Sequence, residues 1–458
     1  MDKKSSRVCI IGGGVSGLFA AAELSRSGFC NITILEAADR PGGRVNTYKL
    51  EDGVVELGAQ WIHGRGENML WKYIQENNIP VSEDNGGDGD GEFFYPGGRS
   101  PDKETLEKTI TFLENVHEEL NDEKNSNSVG EHFQKRFSEF VETEKDENVL
   151  KEMESIYRWF IQWEKVDTGV PDLFQQSVSS WGEYIDYERG DVDSDPVLEN
   201  GYCTLINHLL KQLTAVNIRY KTRVSEIDWS RSSPQIKLEG TTETLEFDNV
   251  IVSVSLGVLK SETNLFHPPL SLQRRECIEL MGFGTMNKIF LGFEKPFWNT
   301  EHGGIQFLWD TNSLENDPKA SHWTRSIPGF DRVCNQHNVL GGWICGEQGA
   351  KLEKLSDTTI LDECWNLLKE QTGKNIEKPN FIKVTRWGSD PNFRGSYSYR
   401  TPKCDEKKVG PWSLAEPLVV NGICTVQFCG ESTSTIGYGT VHGAMESGLR
   451  EARRLIYS

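Results

Sequence analysis

The sequence predicts an α/β protein that opens with a Rossmann-like unit, and three observations predict it. Residues 8–24, VCIIGGGVSGLFAAAEL, run from an apolar strand through three glycines into a helix of small residues. Gly12, Gly14 and Gly17 have the G-x-G-x-x-G spacing. A second apolar strand, ITILE, then closes on Glu36 and completes a βαβ unit of about thirty residues.

Each part of that unit has a physical reason. RVCII is the first strand, and SGLFAAAELSRSG is a helix ended by Gly28. Glycine is required in the turn because a side chain would hold a pyrophosphate away from the backbone N–H groups at the helix start. Glu36 lies 19 residues after Gly17, where a carboxylate takes the ribose hydroxyls of an adenine dinucleotide. The same charge repels a 2′-phosphate, so NAD or FAD is expected rather than NADP. A glycine turn without a ligand is the competing reading, and the strand and helix that flank it weigh against that.

Beyond this unit, EDNGGDGDGEFFYPGG (83–98) reads as a solvated loop at a domain boundary. Residues 101–166 are helical and charged, with an interruption at 121–128. Ile156, Trp159, Phe160 and Trp163 recur at i, i+3, i+4 and i+7, the stripe of a helix packed on a core. Residues 201–213 form a further helix. RYKTRVSEIDW, QIKLEG and TLEFDNVIVSVSLGVL read as strands with turns, as do NKIFLGF and GIQFLW. TTILDECWNLLKEQTG is a helix with Gly at its end, CTVQFCGEST a strand running into a turn, and HGAMESGLREARRLI a closing helix.

At 458 residues the chain has room for two or three domains. Its net charge of −20, from 69 acidic and 49 basic side chains, opposes nucleic-acid phosphate and favours cationic partners; solubility is the plainer use of it. Ten scattered cysteines show no C-x-x-C and no zinc spacing, so no metal is expected and a reducing compartment fits. There is no signal-peptide pattern, no apolar window of about 20 residues and no Ser-Lys-Leu ending. A cytoplasmic monomer without membrane attachment is expected.

NAD and FAD share the glycine fingerprint, and the next stretch separates them. EAADRPGGRV (36–45) sets a second glycine turn, Gly42 and Gly43, beside Arg44, a cation suited to pyrophosphate. This E-x-x-x-R-x-G-G-R pattern resembles the flavoprotein amine oxidase superfamily. QFCGESTSTIGYGTVHGAMESG (427–448) matches a second element of that superfamily. The resemblance implies a discontinuous, three-layer FAD-binding domain from 1–80, 200–262 and 395–458. It implies an α+β substrate-binding domain, with a mixed sheet and helices, from 81–199 and 263–394. It assigns Glu431 to the flavin ribityl or phosphate groups, and Thr440 and Val441 to a helix start aimed at the ring. Ser16, Gly43, Gln60, Trp61, Val224 and Trp387 are also assigned to the cofactor. No second G-x-G-x-x-G is present, so the electron donor is expected to be the substrate and the acceptor dioxygen. Covalent members supply a Cys before the closing helix; here the residues are Ile436-Gly437-Tyr438-Gly439, so FAD is expected to be noncovalent.

Further stretches narrow the resemblance to the flavin-dependent polyamine oxidases, in the spermine oxidase and acetylpolyamine oxidase branch. They are ELGAQWIHG (56–64), VIVSVSLGVLK, GFGTMNKIFLGFEKPFW (282–298) and RWGSDPNFRGSYSY (386–399). The resemblance makes Lys288 the lysine that holds a water near flavin N5; otherwise it is a surface lysine at a strand edge. It makes His63 a hydrogen-bond partner of a substrate nitrogen; otherwise it is a structural histidine bonded to backbone. Tyr397 walls the substrate carbon, or packs across strands. Glu183, Ser177 and Gly439 fall at substrate positions. Gln175 stands where relatives carry Glu, and Gly439 where the spermine-preferring branch has Ser, so spermine, N1-acetylspermine and spermidine are left unranked. The expected reaction oxidises a secondary amine to a shorter polyamine, an aminoaldehyde and hydrogen peroxide. A lysine demethylase type needs a coiled-coil insertion and a helical domain, for which the chain has no room. An amino-acid oxidase needs an arginine clamp, and a membrane monoamine oxidase a tail and a cysteine. A non-enzymatic FAD-binding protein has no need of Lys288.

Overall fold

The computed structural model describes residues 3–83, 86–87, 89–123, 128–185, 187–189, 194–301, 303–310 and 322–457. The chain divides into two compact units. One is made of Met1–Glu83, Glu183–Phe283 and Asp390–Ser458, the other of Asp84–Gly182 and Gly284–Ser389. Segments 183–199 and 263–283, expected in the substrate-binding part, therefore fall in the first unit.

The first unit is built on a six-stranded sheet. Its order is Leu418–Val420, Ile423–Phe428, Asn249–Val252, Arg7–Ile11, Asn31–Leu35 and Asn217–Arg219, all parallel except the first. A strand buried on both faces must be apolar throughout. In the strand Arg7–Ile11, Val8 and Ile10 enter one core while Cys9 and Ile11 enter the other. The first core is closed by the helices Val15–Arg26, Cys203–Gln212 and Val441–Tyr457. The second lies toward a four-stranded sheet of Thr244–Glu246, Gln235–Leu238, Val224–Asp228 and Phe266–His267. Helices, parallel sheet and second sheet make the three expected layers. One local reading is corrected: the SLGVL end of the long apolar run is a short helix, Leu256–Ser261. Ser255 starts it by accepting the Val258 N–H at 3.2 Å, a cap that competes with continued strand.

The second unit is α+β. Its mixed sheet runs Phe381–Val384, Met286–Gly292, Gln336–Cys345, Gly329–Val333, Gly304–Phe307 and Gly91–Phe94. The last strand corrects a second reading, because it lies inside the stretch taken as a loop. It pairs parallel to Gly304–Phe307, and successive side chains Phe93 and Phe94 enter two different cores. Lys103–Glu119, Val129–Val141 and Glu147–Thr168 form the helical part. Ser128 and Glu131 close a reciprocal capping box at the second of these. Ile156, Trp159 and Phe160 of the aromatic stripe are buried and Trp163 packs against them. Residues 124–127 of the predicted interruption lie outside the described residues.

The closest helix pairing in the first unit sets Val441–Tyr457 on Val15–Arg26. A Cβ placed on Gly448 would stand 2.1 Å from the Ser16 carbonyl oxygen. Overpacking costs about 1–3 kcal/mol, and a backbone oxygen cannot swing aside, so the upper end applies. Alanine's helix propensity recovers about 1 kcal/mol of this. Gly448→Ala should therefore lose roughly 2 kcal/mol in urea unfolding; an unchanged midpoint would contradict the close backbone approach.

Candidate active site

The two glycine turns of the first unit lie against each other. Gly12 sits at φ +107°, a conformation open to glycine, and its N–H donates to the Leu35 carbonyl at 2.9 Å. A Cβ on Gly17 would stand 2.2 Å from the Gly12 oxygen, so the helix start can approach the turn only as glycine. Gly42 donates its N–H to the Gly13 carbonyl at 2.8 Å, and Gly14 and Gly42 form a parallel bridge. A Cβ on Gly43 would lie 3.2 Å from the Gly14 Cα. No side chain caps the helix that begins at Val15, which leaves its first N–H groups to an anion.

Glu36 is buried beside this turn. Its Oε2 accepts the Gly13 N–H at 2.6 Å and its Oε1 accepts the Ala38 N–H at 2.7 Å. A carboxylate has about four acceptor sites, so two remain for ribose hydroxyls. Ser253, which the sequence reading passed over, donates to the Ile11 and Gly12 carbonyls, each at 3.0 Å, and pins the turn from the opposite side. Arg40 folds the second turn by donating to the carbonyls of Pro41, Gly43 and Val45. These features fit a dinucleotide: a glycine cradle that any Cβ would fill, an uncapped helix start and a carboxylate with spare acceptors.

Glu431 occupies the centre of the same unit, 4 % exposed. Its Oε1 accepts Arg44 Nη1 at 2.9 Å; its Oε2 accepts the Ser398 hydroxyl at 2.6 Å and the Gly439 N–H at 2.9 Å. Arg44 also donates to the Ser396 carbonyl at 2.5 Å, so its charge is balanced by a carboxylate of the protein itself. Gly439 stands at φ +75°, and a Cβ there would lie 3.5 Å from the Tyr397 ring. Tyr397 is half-buried. Thr440 accepts the Gly443 N–H at 3.0 Å and caps the closing helix, while Val441 is buried in its core.

His63 follows the buried Gln60 and the Trp61 backbone bridge to Val197. Its Nδ1 lies 3.1 Å from Asp195 Oδ2, a side-chain partner. Asp195 Oδ1 accepts the Gly64 N–H at 2.8 Å and Arg189 Nε at 3.1 Å. Burial works to raise the Asp195 pKa, but the His63 hydrogen bond and charge, the Gly64 N–H and Arg189 outweigh it and hold the carboxyl below its usual range. Asn68, fully buried, donates to the His63 carbonyl at 2.8 Å and caps the helix Met69–Glu76. His442, on the closing helix, is 2 % exposed and packs edge-to-face on Tyr187. Its Nε2 has no hydrogen-bond partner among the described residues. Burial, and after it the charge of His63, pushes the His442 pKa down to about 3. Asp195 carries no motif of its own, and His442 lies in the matched stretch 427–448 without a role assigned to it there; only the fold brings them to His63.

Other candidates are placed differently. Glu183 makes a two-point ion pair with buried Arg400, at 2.5 and 3.2 Å, so its carboxylate is engaged within the protein. Val224 begins a strand of the first unit. Ser177 belongs to the second unit and is fully buried. Its hydroxyl accepts the Ser180 N–H at 3.2 Å, at the start of the helix Val178–Glu183. Lys288 and Trp387 also belong to the second unit. Lys288 is 2 % exposed in a strand with neighbours on both sides, which removes the surface-lysine reading. Trp387 is buried, and its N–H donates to Asn287 Oδ1 at 3.0 Å. All ten cysteines are free thiols. Among the described residues no helix is long and apolar enough to cross a membrane, and no group of three or more His, Cys, Asp and Glu could hold a metal ion.

Comparison with known proteins agrees with this geometry. The model of the flavin containing amine oxidoreductases matches residues 15–456. The human peroxisomal N(1)-acetyl-spermine/spermidine oxidase is 32% identical, over 98% of this chain and 94% of its own length. The probable polyamine oxidase 5 of Arabidopsis thaliana is 28% identical, over 99% of this chain and 98% of its own. The lysine-specific histone demethylase 1 homolog 2 of rice is 28% identical, but this chain spans only 58% of it. The chain belongs to the flavin containing amine oxidoreductases and, within them, to the polyamine oxidase branch of FAD-dependent enzymes.

Proposed function

We propose that this enzyme oxidises a secondary amine of a polyamine, spermine or N1-acetylspermine with spermidine as a further candidate, to a shorter polyamine and an aminoaldehyde. The match to polyamine oxidases over nearly the whole chain, joined to a buried lysine at position 288, carries this reading. FAD, held noncovalently, would supply the two-electron acceptor for the oxidation at its N5, with dioxygen as the final acceptor and hydrogen peroxide as the second product.

The chain's own residues divide the work. The turn Gly12–Gly17 with Ser16 takes the pyrophosphate at the helix start, and Glu36 takes the ribose. Gly43, Gln60, Trp61, Val224, Thr440 and Val441 complete the first unit's surface for the cofactor, and Trp387 is the second unit's candidate for it. Arg44 and Glu431 neutralise each other and hold the loops that carry Ser398 and Gly439. His63 bonds the substrate nitrogen through Nε2, with Asp195 fixing the ring by its Nδ1 edge. The amine must be neutral to react, because a protonated nitrogen has no lone pair to drive loss of the carbon-bound hydrogen. His442 stays uncharged at neutral pH and adds no repulsion to an arriving polycation. Lys288 holds a water for proton transfer or imine hydrolysis, and Tyr397 walls the reacting carbon beside Gly439. The charge of −20 raises the local concentration of polyamine cations. Glu183, paired with Arg400, serves the site by holding that arginine, and Ser177 stays a substrate-contact candidate on the second unit. The ten free thiols suit a reducing compartment, and we place the enzyme in the cytosol as a monomer; the human relative is named peroxisomal.

Mixing holoprotein anaerobically with spermine, N1-acetylspermine and spermidine should bleach the yellow flavin band with at least one of them. A band unmoved by every polyamine would overturn the reading. Lys288→Met should retain FAD yet slow turnover by about 10²-fold, the lower scale of positioned proton transfer. Unchanged turnover would remove Lys288 from the chemistry.

A further inference from the structure

We propose that Asn287 and Glu353 are positioning residues for the oxidation: they lock the backbones of Lys288 and Trp387 into one rigid piece. This rests on the roles proposed above for those two residues.

The bonding is specific and complete. Asn287 is fully buried in the strand Met286–Gly292. Its Oδ1 accepts the Trp387 N–H at 3.0 Å and the Thr385 hydroxyl at 3.2 Å. The same hydroxyl accepts the Lys288 N–H at 2.7 Å, and the Thr385 N–H returns to the Lys288 carbonyl at 3.0 Å. Asn287 Nδ2 donates to Glu353 Oε1 at 2.8 Å. Glu353 then accepts the Gly388 N–H at 2.8 Å and the Ser389 N–H at 2.7 Å. One amide therefore ties the strand that carries Lys288 to the loop that carries Trp387, and one carboxylate ties both to the helix Gly346–Leu352.

Two features set this apart from ordinary core filling. Glu353 is the C-cap of that helix, where the helix dipole disfavours a negative charge. Its place is explained by the three donors it collects, not by the helix. A Cβ on Gly388 would lie 3.0 Å from Glu353 Oε1, a tight contact that glycine avoids. An apolar side chain at 287 would fill the strand position but take the Asn287 acceptor from the Trp387 N–H and one of the three donors from Glu353.

The test uses FAD-loaded enzyme and a swap of donor and acceptor. Asn287→Asp sets a second carboxylate against Glu353. It should lower the limiting rate of anaerobic flavin reduction at saturating spermine by about tenfold or more, the scale of a sub-ångström misplacement, with amine affinity little changed. Hydrogen exchange should rise at the amides of Lys288 and Trp387, with or without substrate. The double variant Asn287→Asp/Glu353→Gln restores one donor and one acceptor across the pair but turns the new amide NH2 toward the Gly388 N–H, and should recover part of the rate. Thr385→Val, a milder change that keeps the packing volume, should give a smaller loss in the same direction. A limiting rate and exchange pattern in folded Asn287→Asp or Thr385→Val holoprotein that match wild type would overturn the proposal. Raised exchange with a wild-type rate would also overturn it, because the link would then be structural only. Wild-type enzyme that no polyamine reduces would instead defeat the assigned function, and the exchange measurement would still judge the link by itself.

Discussion

A single buried carboxylate, Glu431, ties together parts of the first unit that are far apart in the sequence. It faces Arg44 from the second glycine turn, Ser398 from the segment after Tyr397, and Gly439 from the approach to the closing helix. A charge almost removed from water must be paired and hydrogen-bonded or it destabilises its surroundings. Meeting that demand fixes the loops that carry Arg44, Ser398 and Gly439. The glycine cradle and Glu36 are local products of a βαβ unit; Glu431 is what closes the far side.

The second unit solves a different problem. Lys288 is buried, and a buried ammonium is costly unless its surroundings are held in place. The strand Met286–Gly292 has neighbours on both sides, and the hydrogen bonds around Asn287, Thr385 and Glu353 hold its backbone and the following tryptophan loop. A flexible side chain thus starts from a stiff root. His63 receives the same treatment from Asp195 and Asn68 in the first unit. In both places a polar residue without a motif fixes one that has a motif.

Much of this was legible in the sequence, for reasons that differ by element. The turn at Gly12, Gly14 and Gly17 announces itself because steric demands there admit only glycine, and Glu36 follows at a spacing that geometry imposes. The family resemblance rested on stretches such as EAADRPGGRV and WIHG, and the matches to known polyamine oxidases agree with it. What escaped was long-range and polar. Nothing local in the sequence pairs Asp195 with His63, Ser253 with Gly12, or Glu353 with Asn287. The strand Gly91–Phe94 was hidden by the Gly and Asp around it, and its two phenylalanines show their purpose only when a core lies on each face. Ser177 and Glu183 matched a pattern, but nothing local in the sequence announced the Ser180 N–H that meets the first or the Arg400 guanidinium that pairs with the second.

The account depends most on Glu431 assembling the cofactor side of the first unit. Titrating FAD into apoprotein carrying Glu431→Gln measures that directly. Removing the charge leaves Arg44 without its carboxylate, and the account predicts FAD affinity weakened by about tenfold or more, the worth of a charge-assisted bond. Wild-type affinity in a folded Glu431→Gln protein would contradict it.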